Sequence, residues 1–286
     1  MKVAVITNLT KQNAQEHTVQ IIQKLNSFGA LVLMSAAELR EFHTAGNIDF
    51  YDDFSEMLKS CDTVIAVGGD GTIMRAAKHA ASAGKPILGI NVGRLGFVAG
   101  LETNELDRLK DLVEGNYTIE RRMMLSVSLL HNGQKMTFQA LNDAVVSRGS
   151  MSRILDFDVS LNEDNVCSYR ADGLIVATAT GSTAYALSAG GPVIDPTMQC
   201  IILTPICPHS LLTRTVVFGP RSKLSMTASS NYREEIFLTL DGEVSLKLEN
   251  GQKIELCRSK LPAKMINLKH KNFYEVVDEK LAERRS

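Results

Sequence analysis

The glycine-rich stretch Gly68–Thr72 contains the residues of this sequence that are best suited to phosphate chemistry. It reads Gly-Gly-Asp-Gly-Thr and follows the apolar run Thr63–Val67, so the pattern predicts a buried strand that ends in a turn and opens a helix. Glycines let backbone N–H groups approach phosphate oxygens closely, and a helix N-terminus favours negative charge. The alternative is a plain strand–helix turn in which Asp70 is the N-cap. We interpret the stretch as a phosphate-binding turn.

Several common signatures of catalytic and nucleotide-binding proteins are missing from the sequence. It contains neither the G-x-x-x-x-G-K-[ST] motif of P-loop enzymes nor the G-x-G-x-x-G motif of dinucleotide-binding folds. It also lacks the G-x-S-x-G motif of many hydrolases and the His-Arg-Asp motif of protein kinases. The glycine-rich turn therefore indicates another class of phosphate-binding protein.

A second stretch, rich in small and hydroxyl residues, begins at Asp172-Gly173 and continues through Ala177–Pro192. Small side chains allow a flat ligand to pack closely, and the hydroxyl groups offer hydrogen-bond donors and acceptors. Gly181-Ser182 is typical of a turn and an N-cap, which predicts a short helix near Ser182–Ala189. Close packing in a core is the alternative, but Tyr185 and the neighbouring hydroxyl groups favour a ligand site.

The segment Leu141–Asp143 is a third candidate for ligand contact. Asn142 and Asp143 could hydrogen-bond a ribose diol and an amide. Taken alone, the pair is more typical of a turn, because Asn and Asp side chains hydrogen-bond their own backbone.

Strand and helix patterns alternate in the first part of the chain. Short apolar runs predict buried strands, and apolar residues along one helical face predict helices between them. This alternation indicates an α/β domain with a Rossmann-like parallel sheet that is covered on both faces. The predicted strands are Val3–Ile6, Leu31–Met34, Thr63–Val67 and Pro86–Ile90, and the predicted helices include one that ends near Gly29 and others near 53–60, 73–83 and 105–114.

The pattern changes near Arg121 to short strands separated by turns. Asn132-Gly133 and Asp241-Gly242 each lie between two strand-like runs, which is a strong hairpin signal. We therefore expect an α/β domain over residues 1–120 and a mainly antiparallel β domain over residues 121–270. Residues 271–286 are expected to form a tail that returns to the first domain.

Composition and charge are typical of a cytoplasmic protein. The 286 residues are 44% hydrophobic, and 31 basic residues nearly balance 32 acidic ones, so nucleic acid is not an expected partner. No run approaches the roughly 20 apolar residues of a membrane span, so no membrane is expected either, and no signal peptide is recognisable. The five cysteines are scattered without a Cys-x-x-Cys pair, as is typical of reduced thiols in the cytosol.

These motifs resemble the bacterial NAD kinase family, and the resemblance covers nearly the whole chain. Gly68–Thr72 is shared with a broader group that includes diacylglycerol-type and sphingosine-type lipid kinases, whereas the stretch Asp172–Pro192 resembles NAD kinases in particular. Asn91–Phe97 and Pro205–Leu211 match the family pattern in order and spacing. A diacylglycerol-type lipid kinase and a non-catalytic NAD-binding sensor are the alternative interpretations.

The resemblance implies an enzyme that transfers phosphate from ATP to the adenosine ribose 2′-hydroxyl of NAD, giving NADP and ADP. It implies that Asp70 is the general base, with Mg²⁺ binding as a competing role, and that the divalent cation binds through ATP phosphates. A homodimer or homotetramer with NAD near a subunit boundary is expected. The residues implied to bind the nucleotides are Gly68, Gly69, Gly71, Thr72, Arg75, Phe97, Asn142, Asp143, Arg153, Arg170, Asp172, Thr183, Ala184, Tyr185, Ala186, Leu187, Ser188 and Glu243.

Two of these positions depart from the family pattern. Asp143 stands where glutamate is usual, so the acid is kept but its reach is one methylene shorter. Glu243 stands where glutamine is frequent.

Overall fold

The structure is a computed structural model, and it describes residues 1–11, 13–93, 96–131, 133–149, 153–210, 213–230, 235–268 and 273–283. The strands are β1 Lys2–Thr7, β2 Leu31–Ser35, β3 Ile48–Tyr51, β4 Thr63–Gly68, β5 Pro86–Asn91, β6 Leu101–Glu102, β7 Thr118–Arg122, β8 Leu125–His131, β9 Gln134–Ala140, β10 Asp143–Arg148, β11 Leu155–Leu161, β12 Asp164–Ala171, β13 Gly173–Thr178, β14 Ile201–Ile206, β15 Val216–Phe218, β16 Lys223–Ser229, β17 Ile236–Leu240, β18 Val244–Leu248, β19 Lys253–Arg258 and β20 Ala263–Asn267. The α-helices are α1 Ala14–Ser27, α2 Leu39–Phe42, α3 Phe54–Ser60, α4 Asp70–Ser82, α5 Leu109–Glu114, α6 Tyr185–Ser188 and α7 Phe273–Glu283, and 3₁₀ helices cover Ala36–Glu38, Thr103–Arg108 and Thr180–Thr183.

The chain divides into two units, Met1–Arg121 with Ala263–Ser286, and Arg122–Pro262. The first unit is built on a mainly parallel sheet with the strand order β3-β2-β1-β4-β5-β20-β7, with β6 beside β5. All six residues of β4 are buried, because helices cover both faces of the sheet. The strand order reverses direction between β1 and β4, and in such sheets ligands bind at the carboxyl ends of the strands on either side of that point.

The strands predicted in the first unit are confirmed, and its helices differ in detail. α4 begins at Asp70, three residues before the predicted start, because the extended residue Gly69 is already its N-cap. The helix predicted over 105–114 is a 3₁₀ helix followed by the shorter α5. β3 pairs with β2 in a stretch whose polar sequence predicted no strand.

The helices of the first unit pack apolar faces onto the sheet. α1 buries Ile21, Ile22 and Leu25, and it ends where Gly29 takes a φ of +83°, which an L side chain rarely adopts. Within the described ranges, none of the helices combines the length and the apolar character that crossing a membrane requires.

The second unit consists of two six-stranded antiparallel sheets, β15-β14-β13-β10-β17-β18 and β12-β11-β16-β19-β8-β9. Apolar side chains of both sheets, such as Phe157 from one and Leu238 from the other, form one buried core. Together with the parallel sheet of the first unit, these sheets confirm the predicted fold class. The hairpin turn at Asp241-Gly242 is confirmed; of the other predicted turn, Asn132 lies outside the described residues, while Gly133 has a φ of +76°.

β13 is apolar at consecutive positions because both of its faces are covered. Leu174 and Val176 face the core between the sheets, whereas Ile175 and Ala177 pack on the other face with Ala186 of α6. The short helix predicted after β13 is a 3₁₀ helix and α6, separated at Ala184, whose backbone is not helical.

Candidate active site

The stretch Gly68–Thr72 forms the turn between β4 and α4. β4 ends at Gly68, Gly69 is the N-cap, and Asp70 is the first residue of the helix, so the interpretation of Asp70 as N-cap is wrong. An acid in the first turn of a helix is stabilised by the helix dipole. A Cβ at Gly68 would lie 2.7 Å from the Thr72 hydroxyl oxygen, which makes glycine necessary for this close turn.

The Asp70 carboxylate is held by the backbone of the segment that follows β5. The Phe97 N–H donates to Oδ2 at 3.0 Å, and the Val98 N–H donates to Oδ1 at 3.4 Å. Gly96 packs so closely that a Cβ there would overlap Oδ1. The stretches Gly68–Thr72 and Asn91–Phe97 therefore meet at this carboxylate, and their contact fixes its orientation. Arg94 and Leu95 of the stretch Asn91–Phe97 lie outside the described residues.

The remaining predicted residues of the first unit lie on or beside the same turn. Thr72 is buried, and its hydroxyl accepts a hydrogen bond from the Asn8 amide at 3.1 Å, which ties the end of β1 to α4. Gly71 and Arg75 are exposed, and the side chain of Phe97 is half-buried. Gly71 and Arg75 are thus accessible to a ligand, whereas Thr72 holds the turn together.

Asp241 organises the segment in the second unit that contains Asn142 and Asp143. Its carboxylate accepts three backbone N–H groups, from Leu141 at 3.0 Å, Asn142 at 2.8 Å and Asp143 at 3.1 Å. Asp241 reaches them from the turn between β17 and β18, because β17 pairs with β10. The segment is therefore clamped by a carboxylate about a hundred positions away in the sequence.

Asp143 is a buried acid with only 5% of its surface exposed. Burial, with a smaller contribution from the Asp241 charge, raises the pKa of Asp143 to about 7. Its protonation state therefore changes near neutral pH. A carboxyl group in this condition can donate a hydrogen bond when protonated and accept one when ionised.

The end of β13 packs directly on Asn142. The Thr178 hydroxyl donates to the Leu141 carbonyl at 2.6 Å, and the Thr178 N–H donates to the Asn142 carbonyl at 2.8 Å. A Cβ at Gly181 would overlap that same Asn142 oxygen. These contacts bring Asn142, Asp143 and the start of the small-residue stretch together at one end of the sheet.

The predicted run Thr183–Ser188 follows at this end, and its side chains differ in exposure. Tyr185 is 47% exposed and Ser188 is also exposed, whereas Ala186 is fully buried in the core. Glu243 is exposed in the same turn as Asp241. Tyr185, Ser188 and Glu243 therefore offer accessible groups for a ligand.

Arg170 and Asp172 lie at the opposite end of the β10–β13 pair. Asp143 pairs with Ala177 at one end and Ser147 with Gly173 at the other, a separation of about 14 Å along the strand. The Asp172 carboxylate there receives two hydrogen bonds from Arg148, Nε to Oδ1 at 2.8 Å and Nη2 to Oδ2 at 3.2 Å.

Two further predicted basic residues are exposed. Arg170 forms an ion pair with Asp156 at 3.0 Å, and Arg153 lies in the connection that precedes β11. The structure thus separates the predicted ligand residues of the second unit into two groups rather than one.

Sequence reasoning missed Asp241 and Arg148 as residues that support the site. Asp241-Gly242 is a recognisable turn signal, but only the pairing of β17 with β10 places its carboxylate against residues 141–143. Arg148 follows an ordinary strand pattern, and no signal in the sequence links it to Asp172.

Comparison with known proteins gives consistent matches over both units. The family model described as ATP-NAD kinase N-terminal domain matches residues 3–117, and the one described as ATP-NAD kinase C-terminal domain matches residues 141–268. An NAD kinase of Moorella thermoacetica is 40% identical over 283 residues, covering 99% of this chain and 89% of that protein. An NAD kinase of Symbiobacterium thermophilum is 38% identical over 283 residues, covering 98% of this chain and 99% of that protein.

Solved structures support the same grouping. The crystal structure of an NAD kinase from Archaeoglobus fulgidus in complex with ATP has a TM-score of 0.76 and 27% identity, covering 99% of both chains. The yeast NADH kinase complexed with NADH has a TM-score of 0.90 at 23% identity, covering 100% of this chain and 89% of that chain, which shows a shared fold. The α/β unit with its fixed acid and the β unit define a two-domain kinase. The chain belongs to the NAD kinase family.

Proposed function

We propose that this protein is an NAD kinase that transfers the γ-phosphate of ATP to the 2′-hydroxyl of the adenosine ribose of NAD, giving NADP and ADP. Membership of the family supports this activity. The observation that carries the mechanism is the fixed carboxylate of Asp70, which follows β4 and is oriented by the backbone N–H groups of Phe97 and Val98. A kinase needs such an acid beside the phosphate-binding turn and accessible to the acceptor hydroxyl.

In the proposed step, the 2′-oxygen forms a bond to the γ-phosphorus as the bond to the bridging oxygen of ADP breaks. The proton of the hydroxyl passes to Asp70. A carboxylate is a weak base for an alcohol, but it suffices because phosphoryl transfer has a loose transition state in which the proton leaves late. The backbone N–H groups of the turn stabilise the charge that develops on the transferred group.

A divalent cation is proposed to enter with ATP. Among the described residues, no group of three or more His, Cys, Asp or Glu side chains forms a metal site. Mg²⁺ commonly keeps water and substrate phosphates as ligands, so water and the ATP phosphates would be enough to hold it. When bound, the cation neutralises charge on the phosphates.

We propose that NAD is bound by two groups of side chains in the second unit. The first contains Asn142, Asp143, the run Thr183–Ser188 and Glu243, and its exposed Tyr185 offers a ring on which the adenine can stack. The second contains Arg153, Arg170 and Asp172, with positive charge suited to the pyrophosphate.

The separation of the two groups along β10 and β13 supports a homo-oligomer. We propose that the group around Asp172 serves the NAD site of a neighbouring copy. Co-expression of two inactive variants, Asp70→Asn and Asp172→Ala, tests this, because mixed oligomers would contain intact sites. Recovered activity in the mixture supports the shared site, and two inactive variants that stay inactive together contradict it.

The activity is tested with purified protein, NAD and MgATP, by measuring NADP without added lipid. NADP formation separates an NAD kinase from a lipid kinase and from a binding-only sensor. Asp70→Asn is the matched variant: it is nearly the same size, and kcat should fall about 10²–10⁴-fold while NAD binding persists. If Asp70→Asn retained near-normal kcat, the proposed base would be wrong.

The cytoplasm is the proposed location of this reaction. All five cysteines are free thiols, as expected where thiols remain reduced.

A further inference from the structure

Asn8, the residue that follows β1, connects this strand to both β4 and α4. Its Nδ2 donates a hydrogen bond to the Thr72 hydroxyl oxygen at 3.1 Å, in the first turn of α4. Its backbone N–H donates to the Val67 carbonyl at 3.2 Å, so the pairing of β1 with β4 continues one residue beyond the end of β1. A single residue therefore holds the glycine-rich turn from its strand side and from its helix side.

The orientation of the Asn8 amide is fixed by the residues that follow it. Its Oδ1 accepts the Thr10 backbone N–H at 3.1 Å and the Thr10 hydroxyl at 2.7 Å. A backbone N–H can only donate, so the amide oxygen faces Thr10 and the amide nitrogen faces Thr72. Among the described residues, this amide is the one hydrogen-bond partner of the Thr72 hydroxyl. Asn8 therefore determines where that hydroxyl lies.

The turn that carries Asp70 is held from both strands that flank β4. β4 lies between β1 and β5 in the sheet. On the β5 side, two backbone N–H groups hold the Asp70 carboxylate itself. On the β1 side, Asn8 holds Thr72, which lies two residues after Asp70 and packs on Gly68 with no room for a Cβ between them. A displacement of Thr72 would therefore displace the whole turn, and Asp70 with it.

We propose that Asn8 is a positioning residue for the reaction and that it acts on Asp70 through the Thr72 hydroxyl. Its own contacts are with the protein, so its contribution is to the placement of the acid and not to the binding of a substrate. The inference rests on the proposed NAD kinase activity, in which the position of Asp70 matters. Since a shift of about 1 Å in a catalytic group can cost about 10²-fold in rate, loss of this restraint should lower kcat more than it raises KM.

A double-mutant cycle on kcat tests whether Asn8 acts through Thr72. Asn8→Ala should lower kcat about tenfold and leave the KM for NAD within about twofold, because one restraining hydrogen bond is lost. Thr72→Val keeps the size of the side chain and removes the hydroxyl, so it should lower kcat at least as much, whereas Thr72→Ser should lower it less. The double variant Asn8→Ala with Thr72→Val should be no slower than Thr72→Val alone, because both changes remove the same contact. Two effects that multiply in the double variant would overturn the proposal.

Asn26→Ala is the matched control for a merely structural role. Asn26 is half-buried like Asn8, and its amide donates to the Ala30 and Asn47 carbonyls at 3.1 Å each and accepts the Asn47 N–H at 2.7 Å. It lies near the amino ends of β2 and β3, at the edge of the sheet opposite to Asp70. Asn26→Ala should lower the melting temperature about as much as Asn8→Ala but leave kcat unchanged. An equal fall of kcat in both variants would make Asn8 a structural residue only and overturn the proposal.

Amide hydrogen exchange tests the same restraint without turnover. In Asn8→Ala, peptides that cover residues 63–76 should exchange several-fold faster than in the wild-type protein, because the glycine-rich turn opens more often. The same peptides should exchange at the wild-type rate in Asn26→Ala. Unchanged exchange in Asn8→Ala would overturn the proposal. A wild-type protein that makes no NADP would instead contradict the proposed function, while hydrogen exchange would still decide whether Asn8 holds the turn.

Discussion

The two units hold their key acids in opposite ways. In the first unit, Asp70 is partly accessible and its carboxylate is the acceptor of two backbone N–H groups. In the second unit, Asp143 is buried, and its backbone N–H donates a hydrogen bond to the carboxylate of Asp241. One acid is therefore held in a fixed orientation while partly accessible, whereas the other is buried and carries a charge that depends on pH.

The largest expected effect comes from crowding the acid of the first unit. Gly96→Ala would place a Cβ about where the Asp70 carboxylate now lies, so the carboxylate must move. We expect kcat to fall by about 10²-fold or more, since misplacing a catalytic group by about 1 Å can cost that much. The KM values should change only a few-fold in the same steady-state assay.

Gly219→Ala is the control for this prediction. A methyl group at Gly219 would meet no atom within 4 Å, and the backbone there is not left-handed, so alanine fits. If Gly96→Ala retained wild-type kcat, the position of the Asp70 carboxylate would not matter for turnover.

Removing the clamp of the second unit should affect binding instead of the chemical step. Asp241→Ala leaves three backbone N–H groups without their acceptor. We expect the KM for NAD to rise roughly 30-fold, corresponding to about 2 kcal/mol, with a much smaller change in the KM for ATP. An equal rise of both KM values would show that Asp241 supports the whole fold rather than the NAD site.

The buried acid of the second unit should show a pH-dependent cost in stability. The pKa of Asp143 is about 7 in the folded protein and about 3.9 in an unfolded chain, so ionising it between these values destabilises the fold. Asp143→Asn should leave stability unchanged at pH 4. At pH 8 it should raise the free energy of unfolding by up to about 4 kcal/mol, because the two pKa values differ by about three units; denaturant titration measures this.

The exposed Asp164→Asn provides the comparison, because its charge lies on the surface of β12. It should alter stability equally at both pH values. A difference between Asp143→Asn and wild type that did not grow with pH would mean that Asp143 stays charged without penalty.

The smallest expected effect concerns the ion pair at the other end of β10 and β13. Arg148→Met frees the Asp172 carboxylate, and we expect the KM for NAD to rise about threefold, because partly exposed ion pairs contribute little. Arg148→Lys should restore part of this, while Lys247→Met, which breaks a surface pair with Glu235, should have no effect. A large fall in kcat for Arg148→Met would contradict its role as a positioning residue.

The sequence was sufficient where a feature is local. The turn at Gly68–Thr72, the main strands of the first unit and the Asp241-Gly242 hairpin follow from short patterns, because turn chemistry and apolar runs act over a few residues. The family resemblance extended this local information to the fold class, which the structure confirms. The proposed roles of individual binding residues stay predictions.

The features that could not be predicted from the sequence are contacts between residues that lie far apart along the chain. The contact of Gly96 with Asp70, the clamp of Asp241 on Asn142 and the pair of Arg148 with Asp172 each join residues more than twenty positions apart. The early start of α4 was missed because glycine next to an acid weakens the helical pattern although Gly69 serves as N-cap. The alternate residues of β13 belong to two different cores, one on each face of the sheet. A sequence pattern alone does not show which element covers each face.

Gly181 has a consequence for how variation in this protein should be interpreted. It lies against the backbone oxygen of Asn142 with no space for even a methyl group. In a saturation mutagenesis screen, every substitution at Gly181 should therefore be lost together with those at Asp70, although Gly181 has no side chain to offer a substrate. Intolerance to substitution at this position would record the closeness of two backbones, and a map of essential residues drawn from such a screen would be wider than the set of groups that touch NAD.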